Sequence, residues 1–218
     1  MTPELFEYAE LHTTPELPWL ADLNRETHLT RLYPRMMAGL VQGTFLRLIS
    51  CMINPRKILE IGTFTGYSAI NLASGLVDSG AGHGAEGSVL HTIEVDPEQE
   101  EIIRRYIHEA DLDRKIILHI GNAMEVIPTL EETWDLVYID ADKPNYLNYY
   151  HMVFDRLRPG GFFLADNALW DGKVLKERNK MNRDTLGIVA FNEFVQNDPR
   201  VENVILPLRD GIMMVRKL

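Results

Sequence analysis

The sequence is poor in the features that mark several large protein classes. It has one cysteine, Cys51, in 218 residues, so no disulfide can close within the chain; that fits a reducing compartment. Its start, MTPELFEYAEL, is acidic and broken by Pro3, with neither the basic beginning nor the apolar middle of a signal peptide. No apolar run approaches the length of a bilayer span, so a soluble, cytoplasmic protein with no membrane partner is expected. There is no basic excess either: 22 Lys and Arg stand against 32 Asp and Glu, a net charge of −10. Phosphate contacts supply most nucleic-acid affinity, which sets DNA and RNA aside and favours a small-molecule substrate. The seven histidines show no H-E-x-x-H spacing, and a zinc site is not expected. The turn after the first strand has the spacing Gly62-x-x-x-Gly66 in place of the G-x-G-x-x-G that seats a pyrophosphate, the Walker lysine motif is missing, and no internal repeat is present.

What is present is ordinary globular composition, 45% hydrophobic and 25% charged. The length suits one core, a single domain over 1–218. Residues 1–55 read as a helical cap, with Leu40, Phe45, Leu46, Leu48, Ile49 and Met52 forming an apolar face at helical spacing. From residue 56 onward strands and helices alternate. The strands are KILEI, SVLHTIEV, KIILHI, WDLVYID and GFFLAD, the last entered through an RPGG turn. A helix, TLGIVAFNEFVQ, then precedes two closing strands joined by a short RDG hairpin turn. This order predicts an α/β fold of Rossmann-like type, seven-stranded and mostly parallel, with helices on both faces and one antiparallel strand from the hairpin. The glycine-rich stretch 74–88 follows a helix and reads as a surface loop.

Ligands of open parallel sheets sit at the carboxyl ends of the strands. In KILEIGTFTGYS, Gly62 and Gly66 permit a tight turn and leave room for a ligand. Glu94 ends the second strand, where an acid can accept from ribose hydroxyls. Asn122 and Ala123 follow the third, where a flat base fits. Glu60 makes the strand end acidic and is expected to orient the loop amides and favour a cationic ligand. A cofactor with no phosphate and some positive charge suits this turn; S-adenosylmethionine has both properties. A nicotinamide-dependent oxidoreductase is the alternative from another class. Asp140 ends the fourth strand, and Asp166 and Asn167 end the fifth. If those strands are neighbours, three oxygen ligands converge on a hard cation, Mg²⁺ first, then Ca²⁺ or Mn²⁺. Lys143 lies three residues past Asp140. Beside a cation in a partly dry cleft its pKa would fall and it could act as a base; equally, it could pair with Asp140 or Asp142 at the surface.

ILEIGTFTGYS, TIEVDPE, YIDADKPNY and ADNALW together resemble the cation-dependent class I O-methyltransferases, of the caffeoyl-CoA and catechol type in their short bacterial form. The resemblance runs from about Tyr33 to the C-terminus. It implies that Asp140, Asp166 and Asn167 bind the cation and that Lys143 is the general base. It implies that Glu94 holds the ribose, that Gly62 and Ser68 hold the methionine end with Gly66 and Tyr67 in the same turn, and that Ala123 lies on the adenine side. Asp140 would also approach the methionine amino group. Met36 or Met37, Trp170 and Asp210 would shape the acceptor pocket, the acceptor being an aromatic vicinal diol. A homodimer is the family's common state. Methyltransferases with an Asn/Asp-Pro-Pro-Tyr segment act on other acceptors; this chain has Asp140-Ala141-Asp142-Lys143 there.

Overall fold

The computed structural model describes residues 2–77 and 87–218. The expected Gly80–Gly87 loop, apart from Gly87 itself, lies outside the described residues. The N-terminal segment is helical: α1 (Pro3–Leu11), α2 (Pro18–Thr30), a 3-10 turn (Pro34–Met36) and α3 (Gly39–Ile53). Pro3, Pro18 and Pro34 each open their element, where a missing N–H costs nothing.

Then follow β1 (Lys57–Ile61), α4 (Tyr67–Ala73), β2 (Val89–Glu94), α5 (Glu100–Glu109), β3 (Ile116–Ile120), α6 (Ala123–Val126), β4 (Trp134–Ile139), α7 (Tyr146–Phe154), β5 (Leu157–Ala165), α8 (Arg183–Gln196), β6 (Val201–Leu206) and β7 (Ile212–Lys217). The strands form one sheet in the order β3-β2-β1-β4-β5-β7-β6. Only β7 runs antiparallel, against both β5 and β6. The central strands β1, β2 and β4 are buried on both faces, which is why their sequences are nearly continuous apolar runs. One core packs α2 to α5 on one face of the sheet; the other packs α7 and α8 on the opposite face.

Three expectations need correction. The RPGG sequence is no turn before β5 but part of it: Trp134 pairs with Leu157 and Leu136 with Phe162, so the extra residues form a bulge. A bulge accommodates proline and glycine inside a strand. The apolar face read for α3 is buried only in part: Leu46 is in the core, and Phe45 and Ile49 pack against it. Leu48 and Met52 are exposed, whereas Gln42, Gly43, Leu46 and Ser50 are buried. Segment 34–53 is also long and apolar enough to span a bilayer. It is not one helix, however: the chain breaks after Met36, leaving α3 with fifteen residues, about 22 Å. Its middle packs on α4 so closely that a Cβ on Gly43 would lie 2.5 Å from the Tyr67 ring.

Candidate active site

The parallel register aligns four strand ends. Ile61 pairs with Ile93 and with Ile139, and Ile139 pairs with Ala165. The next residue on each strand is therefore Gly62, Glu94, Asp140 or Asp166, in one row across the carboxyl edge. The row is tied by backbone bonds: Gly62 N–H to Ile93 O at 3.0 Å, Asp140 N–H to Ile61 O at 2.9 Å, and Asp166 N–H to Ile139 O at 2.9 Å.

Gly62 sits at φ +96°, and a Cβ there would lie 2.1 Å from the Asp140 carbonyl oxygen. A close approach to the neighbouring strand by itself demands glycine at this position. Gly66, at φ +94°, caps α4, and a Cβ there would meet only Ile103.

Glu94 carries out the loop-orienting task expected of Glu60. Glu94 accepts from the loop amides of Thr63 (3.2 Å) and Phe64 (2.7 Å) through one oxygen, and from Asp96 N–H (2.9 Å) through the other. It shapes the turn that Glu60 was expected to orient. Glu60 is fully buried and accepts from Thr92 Oγ1 at 2.5 Å. Burial pushes its pKa up to about 8, helped by the charges of Asp140 and Glu94 and opposed by hydrogen bonds from Ser68 and Thr92. Such a shift disfavours the charged form on which the expected attraction of a cation depends. Ser68 lies half-buried in the first turn of α4, and Ala123 is buried behind Asn122, whose side chain caps Met124 N–H at 3.0 Å. Tyr67 is buried, its hydroxyl donating to Glu16 at 2.5 Å. Thr27 of α2 donates to Thr65 at 3.1 Å. These two contacts clamp the N-terminal helices over the glycine turn.

The second half of the row holds the oxygen donors. Asp166 is 4% exposed and its pKa is pushed up to about 6, by burial first and then by the neighbouring Asp140 charge. Its Oδ1 accepts from Asn167 N–H at 2.7 Å. Asn167, at φ +58°, gives its Nδ2 to Asp210 at 3.1 Å, which leaves its carbonyl oxygen as an acceptor. Asp210 also accepts from Asp171 N–H. Two adjoining carboxylates and an amide oxygen are hard donors, and the crowding of negative charge at Asp166 is what a cation relieves. The residues present fit such an ion. Among the described residues no cluster of three or more His, Cys, Asp or Glu could hold a metal, and Asn167 would be the third donor beside Asp140 and Asp166.

Lys143 is buried in a 3-10 turn (Lys143–Asn145). Its Nζ donates to Asp140 Oδ1 at 2.9 Å and to Tyr146 Oη at 2.8 Å, and lies 5.7 Å from the Trp170 ring centre. Burial lowers the lysine's pKa, but Asp140 and Tyr146 stabilise the ammonium more, so it is raised. Pairing with Asp140 is therefore real but internal. The turn is held from behind by α8, where a Cβ on Gly187 would lie 2.5 Å from the Lys143 carbonyl oxygen.

Of the acceptor-side residues, Met37 is core and Met36 is exposed. Trp170 is half-buried, flanked by Lys143 and by Lys173 at 5.2 Å. Gln42, Tyr138 and Arg209 have no role in any motif read from the sequence. Gln42 donates to Asp166 Oδ2 at 2.6 Å, and Arg209 binds the Met37 and Ala38 carbonyls. The one available signal was a polar residue amid the apolar residues of α3.

Comparison with known proteins was made on this geometry. An O-methyltransferase family model matches residues 10–218. A caffeoyl-CoA O-methyltransferase from Nicotiana tabacum is 30% identical, covering 98% of this chain and 91% of its own. A flavonoid 3',5'-methyltransferase from Vitis vinifera is 32% identical over 93% of this chain and 87% of its own. Among solved structures, an O-methyltransferase from Bacillus cereus in complex with SAH has a TM-score of 0.86 at 28% identity, covering 97% of this chain and 96% of that one.

Proposed function

This chain belongs to the O-methyltransferase family, and on that premise we propose that it moves a methyl group from S-adenosylmethionine to one oxygen of an aromatic vicinal diol, a catechol or caffeoyl-like acceptor, with a divalent cation bound. The observation that carries this reading is the row itself: Asp140 beside Asp166-Asn167, next to the glycine turn and Glu94. The SAH in the Bacillus cereus relative and the small aromatic substrates named for the plant relatives support it. The family match leaves the nicotinamide alternative without support.

Asp140, Asp166 and Asn167 would hold the cation, with Mg²⁺ the preferred ion. When bound, it supplies positive charge that lowers the pKa of a coordinated phenol. The Gly62–Ser68 turn and Glu94 hold the cofactor, with Ala123 beside the base. The acceptor oxygen attacks the methyl carbon in line. A C–O bond forms, the C–S bond breaks with its electron pair going to sulfur, and S-adenosylhomocysteine leaves. Holding both reactants at attack distance supplies up to about 7–11 kcal/mol of the barrier. Lys143 accepts the phenol proton once its own ammonium proton, stabilised by Asp140 and Tyr146, has passed to solvent; any charge that draws on Asp140 weakens that hold. Trp170, Met36 and Asp210 border the acceptor. The same reading takes the enzyme to be a cytoplasmic homodimer.

The test is incubation with S-adenosylmethionine, Mg²⁺ and a panel of catechols, caffeoyl esters and monophenols, with and without EDTA, followed by mass spectrometry. Catechols should gain one methyl, monophenols little, and EDTA should stop the reaction until Mg²⁺ is restored. Full activity in excess EDTA would remove the cation from the reading. Equal rates on monophenols would remove the diol.

A further inference from the structure

Gln42 is a fully buried amide on α3, far in sequence from the strand ends it meets. Its Nε2 donates to Asp166 Oδ2 at 2.6 Å and to Tyr138 Oη at 3.1 Å. Tyr138, also fully buried, donates its own proton to the same Asp166 oxygen at 3.3 Å. The protons in this triangle are all accounted for: the amide gives two, the phenol gives one, and the carboxylate only accepts. Arg209, from the β6–β7 connection, approaches the other side of the amide, its Nη1 lying 3.3 Å from Gln42 Oε1. Arginine can only donate and an ionised carboxylate can only accept. The amide between them therefore has one orientation, oxygen to Arg209 and nitrogen to Asp166.

We propose that Gln42 is a positioning residue for Asp166, with Arg209 fixing the amide that does the positioning. Two donors occupy Oδ2 and one, Asn167 N–H, meets Oδ1, so Oδ1 is the oxygen that would be left with a free lone pair for the cation. This rests on the cation reading above. Hydrogen bonds to ligating carboxylates orient them, and losing such a partner typically costs about 10–100-fold in metal affinity. A merely structural amide would predict lower stability with no selective change in metal binding.

The test is Mn²⁺ affinity of the whole protein, without acceptor, from the electron paramagnetic resonance signal of free Mn²⁺. Gln42→Met keeps the volume and removes the donors. It should weaken Mn²⁺ binding by roughly 10–100-fold while S-adenosylmethionine affinity, read by calorimetry, stays within about twofold. Arg209→Met should weaken Mn²⁺ in the same direction by less. Unaltered Mn²⁺ affinity in Gln42→Met overturns the proposal, as does a parallel loss of both affinities. Should Gln42→Met not fold, judged by its thermal transition, Arg209→Met decides, and an unchanged Mn²⁺ affinity there overturns it. An unsubstituted protein that binds no Mn²⁺ overturns the cation reading itself, a separate result.

Discussion

Replacing Glu60 by glutamine tests how the site's charge is set. Glu60 is fully buried in β1, one residue before the turn, with a pKa raised from 4.5 to about 8. In the unfolded chain the same carboxyl ionises near its ordinary value. Between pH 4.5 and 8 the folded state therefore holds a proton that the unfolded state has lost. The unfolded state binds fewer protons in this window, so stability falls as pH rises. Each pH unit is worth about 1.4 kcal/mol. At pH 7 the cost is about 3 kcal/mol, and above pH 8 it levels at about 5 kcal/mol. Glutamine has the shape of the protonated acid and does not titrate. Urea unfolding of both proteins from pH 5 to 9 should show Glu60→Gln gaining on the parent by about 1.4 kcal/mol per pH unit, then flattening above pH 8. Asp166 shifts in the same direction but is common to both chains and cancels. A difference independent of pH, or a glutamine variant that loses ground as pH rises, would mean that Glu60 is ionised in the folded protein and does charge the site.

Two further substitutions bear on the row of strand ends. Lys143→Met should lower turnover by roughly 10²–10⁴ with cofactor affinity unchanged; Lys143→Arg should be as poor if proton transfer is the role, and a fast arginine variant would leave only the positive charge as its contribution. Gly62→Ala puts a Cβ 2.1 Å from the Asp140 carbonyl oxygen in a left-handed turn. It should cost about 2–5 kcal/mol by thermal or urea unfolding, and a neutral outcome would show that β1 and β4 can separate at no cost.

The alternation of apolar runs and helical segments disclosed the sheet, because buried parallel strands are apolar on both faces and each needs a crossover. Glu94, Asp140 and Asp166 were legible for the same reason: each stands at or directly after the end of a strand, and parallel register brings such positions to one edge. The RPGG bulge was hidden, since proline and glycine signal a turn unless a neighbouring strand captures them. The burial of α3 was misread because its apolar residues outnumber what the core uses, while Gln42 has a polar partner and goes inside.

The sequence by itself determined the class of fold, the family, and which acids stand at the strand ends, since periodicity and local spacing are properties of neighbouring residues. Only the tertiary structure decided what state those groups are in. Enclosure raises the pKa of Glu60, contact with Asp140 and Tyr146 raises that of Lys143, and Asp166 is held by an amide 124 residues away. Protonation and orientation depend on what surrounds a group in space, and segments far apart in the chain supply those surroundings.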